Sequence, residues 1–389
     1  MRTFGSVLEQ NKGYGPGFDF ARVLLALGVL LWHSQIIAKG QYGWMLDRPL
    51  WVVNYSILPM FFGLSGFLVA GSAQRLDLKN FGINRSLRIF PALVVEITLS
   101  ALVLGPMFTQ LSLAEYFQHP EFSRYFLNTV GFIQYELPSV FLDNPNPVTV
   151  NGSLWTVPFE MLCYLVMAFL IISGAVRNGM TLLMISAAII LIGMLSQWII
   201  GSGKGHSFAE AVLQGYIFSG KGPPLLPCFV LGAACYVLRD RIPFDKRIFC
   251  GCVIALIAIG LRGHPGWWTH LSLVFLISPI MIYIVTFVGL SKVPKLPIFS
   301  TGDYSYGIYL YGFPIQQALA NAFPAFRSMG ILFFISLVIV TLFAMVSWHF
   351  IEKPILKMRK RFSLVGKRHD NEQQRASEET PIARRASTM

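Results

Sequence analysis

Apolar residues recur along the chain in blocks of about twenty, each closed by charged residues or by Pro and Gly. A helix of that length crosses a hydrocarbon core of about 30 Å. The blocks fall at roughly 18–38, 53–73, 90–109, 154–174, 180–200, 223–239, 247–262, 270–290, 301–321 and 330–351, the sixth and seventh being short. A further stretch, Tyr125 to Leu142, is interrupted by Gln134, Glu136 and Pro138, and reads as an interfacial or re-entrant segment. The pattern predicts an all-α, polytopic integral membrane protein of about ten transmembrane helices.

The positions of Lys and Arg set the expected orientation. With the N-terminus inside, the inside loops receive Arg75, Lys79, Arg85 and Arg88, then Arg177, then Arg239, Arg241, Lys246 and Arg247, then Lys292 and Lys295. The outside loops hold only Lys39, Arg48, Arg124, Lys204, Lys221, Arg262 and Arg327. This asymmetry follows the positive-inside rule and places both termini in the cytoplasm. The chain then divides into an N-terminal cytoplasmic segment (1–16), a membrane domain (17–354) and a basic cytoplasmic tail (355–389) expected to be disordered. No basic n-region and cleavage site precede the first block, so that block is expected to be retained as a span. One outside loop, Thr109 to Gly152, is long and rich in aromatics, Pro and Asn, which suits an ordered surface more than a linker.

Composition agrees with the pattern. Of 389 residues, 54% are hydrophobic and 13% charged, with mean hydropathy +0.58, against roughly 25% charged in soluble domains. The net charge of +12 could suggest nucleic acid, but its distribution argues for membrane lipid instead. From Lys353 onward ten Lys and Arg face four Asp and Glu, an excess that is half the total. A basic end after the last span is ordinary beside anionic lipid. The cysteines, Cys163, Cys228, Cys235, Cys250 and Cys252, lack zinc-ligand spacing and read as core residues, so no metal is expected.

Ionisable groups inside spans are the natural candidates for chemistry, because lipid makes them costly. Arg22 and His33 are 11 residues apart, about three helical turns and roughly 16 Å, so they share one face of the first span. Such a face could line a path through the membrane; alternatively both side chains snorkel to their interfaces. In SLWTVPFEMLCYL, Glu160 enters from the outside to a depth comparable with His33, where it could orient the imidazole or form a structural ion pair. Arg85 and Arg88 share a helix face and could clamp phosphate, or serve only topology. Small residues at Gly63, Gly66, Ala70 and Ala73 permit close helix packing. GDYSYGIYLYGFPIQQ places several Tyr hydroxyls and two amides on one span, and His349 falls near an interface. P-loop, Rossmann, H-E-x-x-H and G-x-S-x-G patterns are absent from the sequence. NRS at Asn84 and NGS at Asn151 match the glycosylation sequon, a short pattern of low specificity.

In order, FDFARVLLALGVLLWHS, PMFFGLSGFLVAGS, NRSLRIFPAL, NGSLWTVPFEMLCYL, GDYSYGIYLYGFPIQQ and FIEKP resemble the membrane acyltransferase-3 family of sugar O-acyltransferases, over roughly Gly17 to Pro354. The family's Arg, ten residues, His pattern falls on Arg22 and His33, its R-x-x-R on Arg85 and Arg88, and its W-x-x-x-x-E on Trp155 to Glu160. The resemblance implies a ten-helix domain in a bacterial plasma membrane. It would pass an acyl group, often acetyl, from cytoplasmic acyl-CoA to a hydroxyl of a cell-surface or lipid-linked carbohydrate. Many members carry a histidine where this chain has Gly312, and the hydrolase-like domain of some members is not in this sequence.

The expected roles follow. Arg22, Arg85 and Arg88 bind the donor, acyl-CoA, with no permanently bound cofactor. His33 acts as general base or acyl carrier, Glu160 orients it, and Trp155 and Tyr306 bind the acceptor. The rival class is a transporter or flippase of a glycan or acylated lipid. That reading fits buried charge, but half-chain repeats and interrupted helices are not evident in the sequence.

Overall fold

Ten long helices occur among the residues that the computed structural model describes, which are 2–201, 222, 224–262, 271–293 and 302–362. They are α1 Phe18–Lys39, α2 Trp51–Ala73, α3 Leu78–Leu99, α4 Val157–Ile172, α5 Gly179–Gly201, α6 Leu225–Val237, α7 Lys246–Arg262, α8 Leu271–Leu290, α9 Ser305–Ala322 and α10 Met329–Ser347. Each overlaps one of the ten apolar blocks. Among the described residues there is no strand, only two isolated bridges. Among the described residues five helices are long and apolar enough to cross a membrane: Phe18–Lys39, Trp51–Ala73, Leu78–Phe108, Gly152–Ile172 and Met329–Met358. Three shorter apolar helices are Gly179–Leu195, Leu225–Val237 and Val274–Leu290.

Helix ends carry ordinary local chemistry. The Asp77 carboxylate caps α3 by accepting from the Asn80 amide at 2.8 Å, and Asn178 caps α5 by accepting from Met180 and Thr181. Gly40 closes α1 in the left-handed region at φ 72°, its N–H donating to the Ile36 carbonyl. Pro158 lies in the first turn of α4, where its missing N–H costs nothing. α3 starts well before its expected boundary because Asp77 caps it there.

The bundle packs in part through small residues and shows apolar side chains on its outer surface. α2 lies against α6 at backbone distance. A Cβ on Gly66 would fall 1.9 Å from the Phe229 carbonyl oxygen, and one on Gly232 would fall 1.9 Å from that of Gly63. Two of the four small residues noted in FFGLSGFLVAGSA thus make the contact. On α10 and its continuation, Phe334, Val338, Leu342, Val346 and Phe350 recur every four residues and all face outward. That stripe would be costly in water and is favourable against lipid. Hydroxyls inside the bundle are satisfied locally, as where Ser34 donates to Leu30 and Ser56 to Val52.

The loop 109–152 is ordered. Ser112 and Glu115 form a capping box at the start of Leu113–Gln118. Tyr116, Tyr125 and Asn128 are fully buried beneath the loop. Tyr125 to Leu142 forms a short 3-10 turn, Phe126–Val130, and then irregular chain. Gln317 on α9 fastens the loop by donating to the Asn146 and Thr149 carbonyls at 2.8 and 2.6 Å. Its neighbour Gln316 donates to the Leu30 carbonyl of α1 and lies 2.9 Å from Ser336 of α10. The two amides of the Tyr-rich motif are therefore packing links.

At the ends, the N-terminal segment carries the helix Phe4–Gln10, whose Phe4 is fully buried. The tail, expected to be disordered from residue 355, continues as helix Lys353–Phe362. An apolar and basic alternation suited to an interface explains those turns. The tail from residue 363, and the loop residues Lys204, Lys221 and Lys295, lie outside the described residues.

Candidate active site

Two cavities lie along α1, and a single residue, Leu58 of α2, lines both. The larger, about 140 Å³, sits toward the start of α1 and holds Arg22, Arg85, Arg88, Glu160 and Tyr306. The smaller, about 60 Å³, sits toward the end of α1 and holds His33 and Trp155. Helical phase brings Arg22 and His33 to one side of α1, and the two residues end in different chambers.

The larger cavity is organised by an acid that the motifs did not single out. Asp303 lies in the turn just before α9, outside the helix. Its Oδ2 accepts from Arg22 at 2.6 Å and from Arg88 at 2.5 Å, and its Oδ1 accepts from the Ser305 hydroxyl at 2.7 Å. Burial pushes the Asp303 carboxyl up, but the charges of Arg88 and Arg22 and the Ser305 hydrogen bond outweigh it and hold the group well below the usual carboxylate range. One carboxylate thus fixes two guanidinium groups from separate helices.

Arg85 is placed differently. Its guanidinium lies 5.7 Å from the centre of the Tyr164 ring, and its Nε–H is buried without a hydrogen-bond partner. Tyr164 in turn donates to Glu160 at 2.7 Å. Glu160 lies in the electrostatic reach of Arg88 and Arg85. The structure therefore places the acid expected to orient His33 in the arginine cavity, hydrogen-bonded to Tyr164. Tyr306, expected on the acceptor side, also lines the arginine cavity and donates to the Ile89 carbonyl at 3.2 Å. Both follow from helix geometry: Glu160 and Tyr164 are one turn apart on α4, and Tyr306 starts α9 beside Asp303.

His33 is half-buried, and its ring meets Phe313 of α9 edge-on at 5.0 Å. Phe313 occupies the space a side chain at Gly152 would need, 2.6 Å from the position of its Cβ. The Gly of NGSLW is therefore required by the ring that braces His33. At Gly312, the position where a second histidine was noted as missing, a Cβ would meet Leu30 of α1 at 2.9 Å. The close approach of α9 to α1 accounts for the small residue there.

A third polar group lies behind the cavities. Glu96 of α3 is 1% exposed and accepts from Ser100 at 2.8 Å and Asn151 at 2.9 Å. Asn151 also caps the turn Gly152–Thr156 by accepting from Ser153. This fully buried amide is spoken for, so the NGS sequon is structural. A lone Glu within an apolar block was the sequence signal for Glu96, as Asp303 in GDYSYG was for the arginine anchor. His349 lies 3.1 Å from the Tyr304 hydroxyl. All five cysteines are free thiols, three of them buried, and among the described residues no cluster suits a metal ion.

Comparison with known proteins adds to this geometry. A family model described as an acyltransferase domain matches residues 16–349. The chain is 28% identical over 355 residues to an O-acetyl transferase of Shigella phage Sf6, covering 87% of this chain and 95% of that protein. It is 27% identical over 391 residues to nodulation protein 10 of Rhizobium leguminosarum bv. viciae, covering 92% and 98%. It is 21% identical over 369 residues to the O-acetyltransferase OatA of Staphylococcus aureus, covering 88% of this chain and 57% of that one. No solved structure matches.

Proposed function

The chain belongs to the acyltransferase domain family, and from that premise we propose that it is a multi-pass membrane O-acetyltransferase that passes acetyl from cytoplasmic acyl-CoA to a hydroxyl of a cell-surface or lipid-linked carbohydrate. The observation that carries the reading is the pair of chambers on α1, guanidinium groups in one and His33 in the other, meeting at Leu58. The names of the phage and staphylococcal relatives support acetyl as the group transferred. In this reading ten helices cross the membrane, both termini are cytoplasmic, and the arginine chamber faces the cytoplasm.

The arginine chamber receives the donor. Arg85 supplies the unpartnered Nε–H to a CoA phosphate, while Arg22 and Arg88, held by Asp303, add fixed positive charge. A cavity of about 140 Å³ is close to one that admits a benzene-sized molecule. It therefore takes the thioester end of the donor and leaves the nucleotide beyond the arginines. Glu160 and Tyr306, on this reading, shape the donor chamber. His33 receives the acceptor hydroxyl and removes its proton as general base. The acceptor oxygen bonds to the acyl carbon, the carbon–sulfur bond breaks, and the proton ends on the CoA sulfur as free thiol. Trp155, lining the His33 chamber, offers a ring face to the sugar.

The test is purified protein with labelled acetyl-CoA and a carbohydrate acceptor, scored for covalent label on the carbohydrate. Acceptor labelling that is lost in His33→Ala is expected. Carbohydrate translocated without any label would instead place the protein in the transporter class.

A further inference from the structure

The chamber around His33 carries two groups that the reaction above does not use. Trp32 is 7% exposed, and its indole N–H is buried with no hydrogen-bond partner. The amide nitrogen of Asn54 is buried and unpartnered in the same way. Trp32 precedes His33 on α1, Asn54 lies in the first turn of α2, and both line the chamber. Buried donors are almost always satisfied in native proteins, because leaving one unpaired is destabilising. Two of them in one small chamber, beside the imidazole, point to a ligand that supplies the missing acceptors.

The chemistry of that ligand can be narrowed. Indole nitrogen only donates, and the orphaned half of Asn54 is its donor half, so the ligand offers oxygen lone pairs. No Lys, Arg, Asp or Glu is among the described residues lining the chamber, whose other walls are Val29, Ile57, Leu58, two prolines and the rings of Tyr42 and Tyr55. A neutral ligand suits it better than a carboxylate or phosphate. The volume of about 60 Å³ is well below that of a cavity that admits a benzene-sized molecule. That is too little for a sugar ring and enough for one hydroxyl-bearing edge.

We propose that this chamber is the acceptor subsite, in which Trp32 and Asn54 donate to two oxygens along one neutral edge of a saturated sugar and so select which hydroxyl meets His33. The proposal rests on the O-acetyltransferase reading and adds the residues that fix regioselectivity. Trp155 lines the same chamber and covers the ring from the α4 side.

The experiment uses the full chain in detergent, with labelled acetyl-CoA and a neutral methyl hexopyranoside as acceptor probe. Trp32→Phe keeps the apolar ring and removes only the N–H; Asn54→Ala removes the amide. Each is expected to raise the acceptor KM about tenfold, the loss of one buried hydrogen bond, with acetyl-CoA affinity unchanged. Asn54→Asp, which exchanges the donor for an acceptor, is expected to raise it further. Wild-type transfer with unchanged acceptor KM in both Trp32→Phe and Asn54→Ala overturns the subsite alone. So does a joint loss of donor and acceptor binding in both, which marks a packing role. Wild-type protein that binds acetyl-CoA and labels no carbohydrate overturns the transferase reading, and the subsite falls with it.

Discussion

Asp303 joins two arginines that the sequence separates by 66 positions, Arg22 of α1 and Arg88 of α3. With the carboxylate gone, the two guanidinium groups repel each other across a part-buried site. Asp303→Asn is therefore expected to destabilise the protein by about 2 kcal/mol, between the values for surface and buried pairs, read as lowered thermal unfolding in detergent. Because the folded carboxyl lies below its unfolded value of about 4, its contribution is complete above that pH. It is lost as pH falls toward the folded value, so the gap between wild type and variant should close on acidification. Leu58 tests the joint between the chambers. Leu58→Trp should abolish acetyl transfer while acetyl-CoA binding persists; transfer at the wild-type rate would show that the acyl group takes another route. Arg22 with His33, and Arg85 with Arg88, stand out in the sequence because a single helical face relates the members of each pair. Asp303 was quoted in its motif and passed over, since a loop acid shows its partners only once α1, α3 and α9 are assembled. The same limit applied to Glu160. Its depth was readable, and Tyr164 is its neighbour one turn along the same helix, but whether it met His33 or the arginines depended on the rotation of α4, which turns it toward the arginines.

Helix order and most helix limits were readable from apolar block length, because lipid demands about twenty apolar residues per crossing and local caps finish the job. α3 was the exception, since its polar first turns do not look like a span and are nonetheless continuous helix from Asp77. Packing between helices was readable only as permission: small residues allowed close approach, but only the structure pairs Gly63 and Gly66 with α6. The contact is tight enough to test. Gly66→Ala sets a methyl against the Phe229 carbonyl and should cost about 1–3 kcal/mol by overpacking. Gly82→Ala on α3 meets nothing within 4 Å and should stabilise by about 0.5–1 kcal/mol through helix propensity. Equal thermal shifts for the two variants would mean that α2 and α6 do not meet as described.

The whole molecule reads as a membrane bundle with two chambers that share Leu58, to which the proposed function assigns the donor and the acceptor. Charge placement along the chain makes the sidedness testable. In a cysteine-free background, an impermeant maleimide added to intact cells should label Arg124→Cys and leave Lys79→Cys and Lys246→Cys unlabelled until the membrane is opened. Labelling of all three from outside would reverse or break the proposed topology. The central claim, that acetyl passes from the arginine chamber to a hydroxyl held at His33, is tested most directly by one paired measurement. Donor binding and label transfer are followed on the same purified wild-type and His33→Ala proteins with labelled acetyl-CoA and a carbohydrate acceptor. The account predicts equal acetyl-CoA binding, with transfer reduced at least a hundredfold in His33→Ala, the scale of a lost general base. Transfer by His33→Ala at the wild-type rate would contradict it.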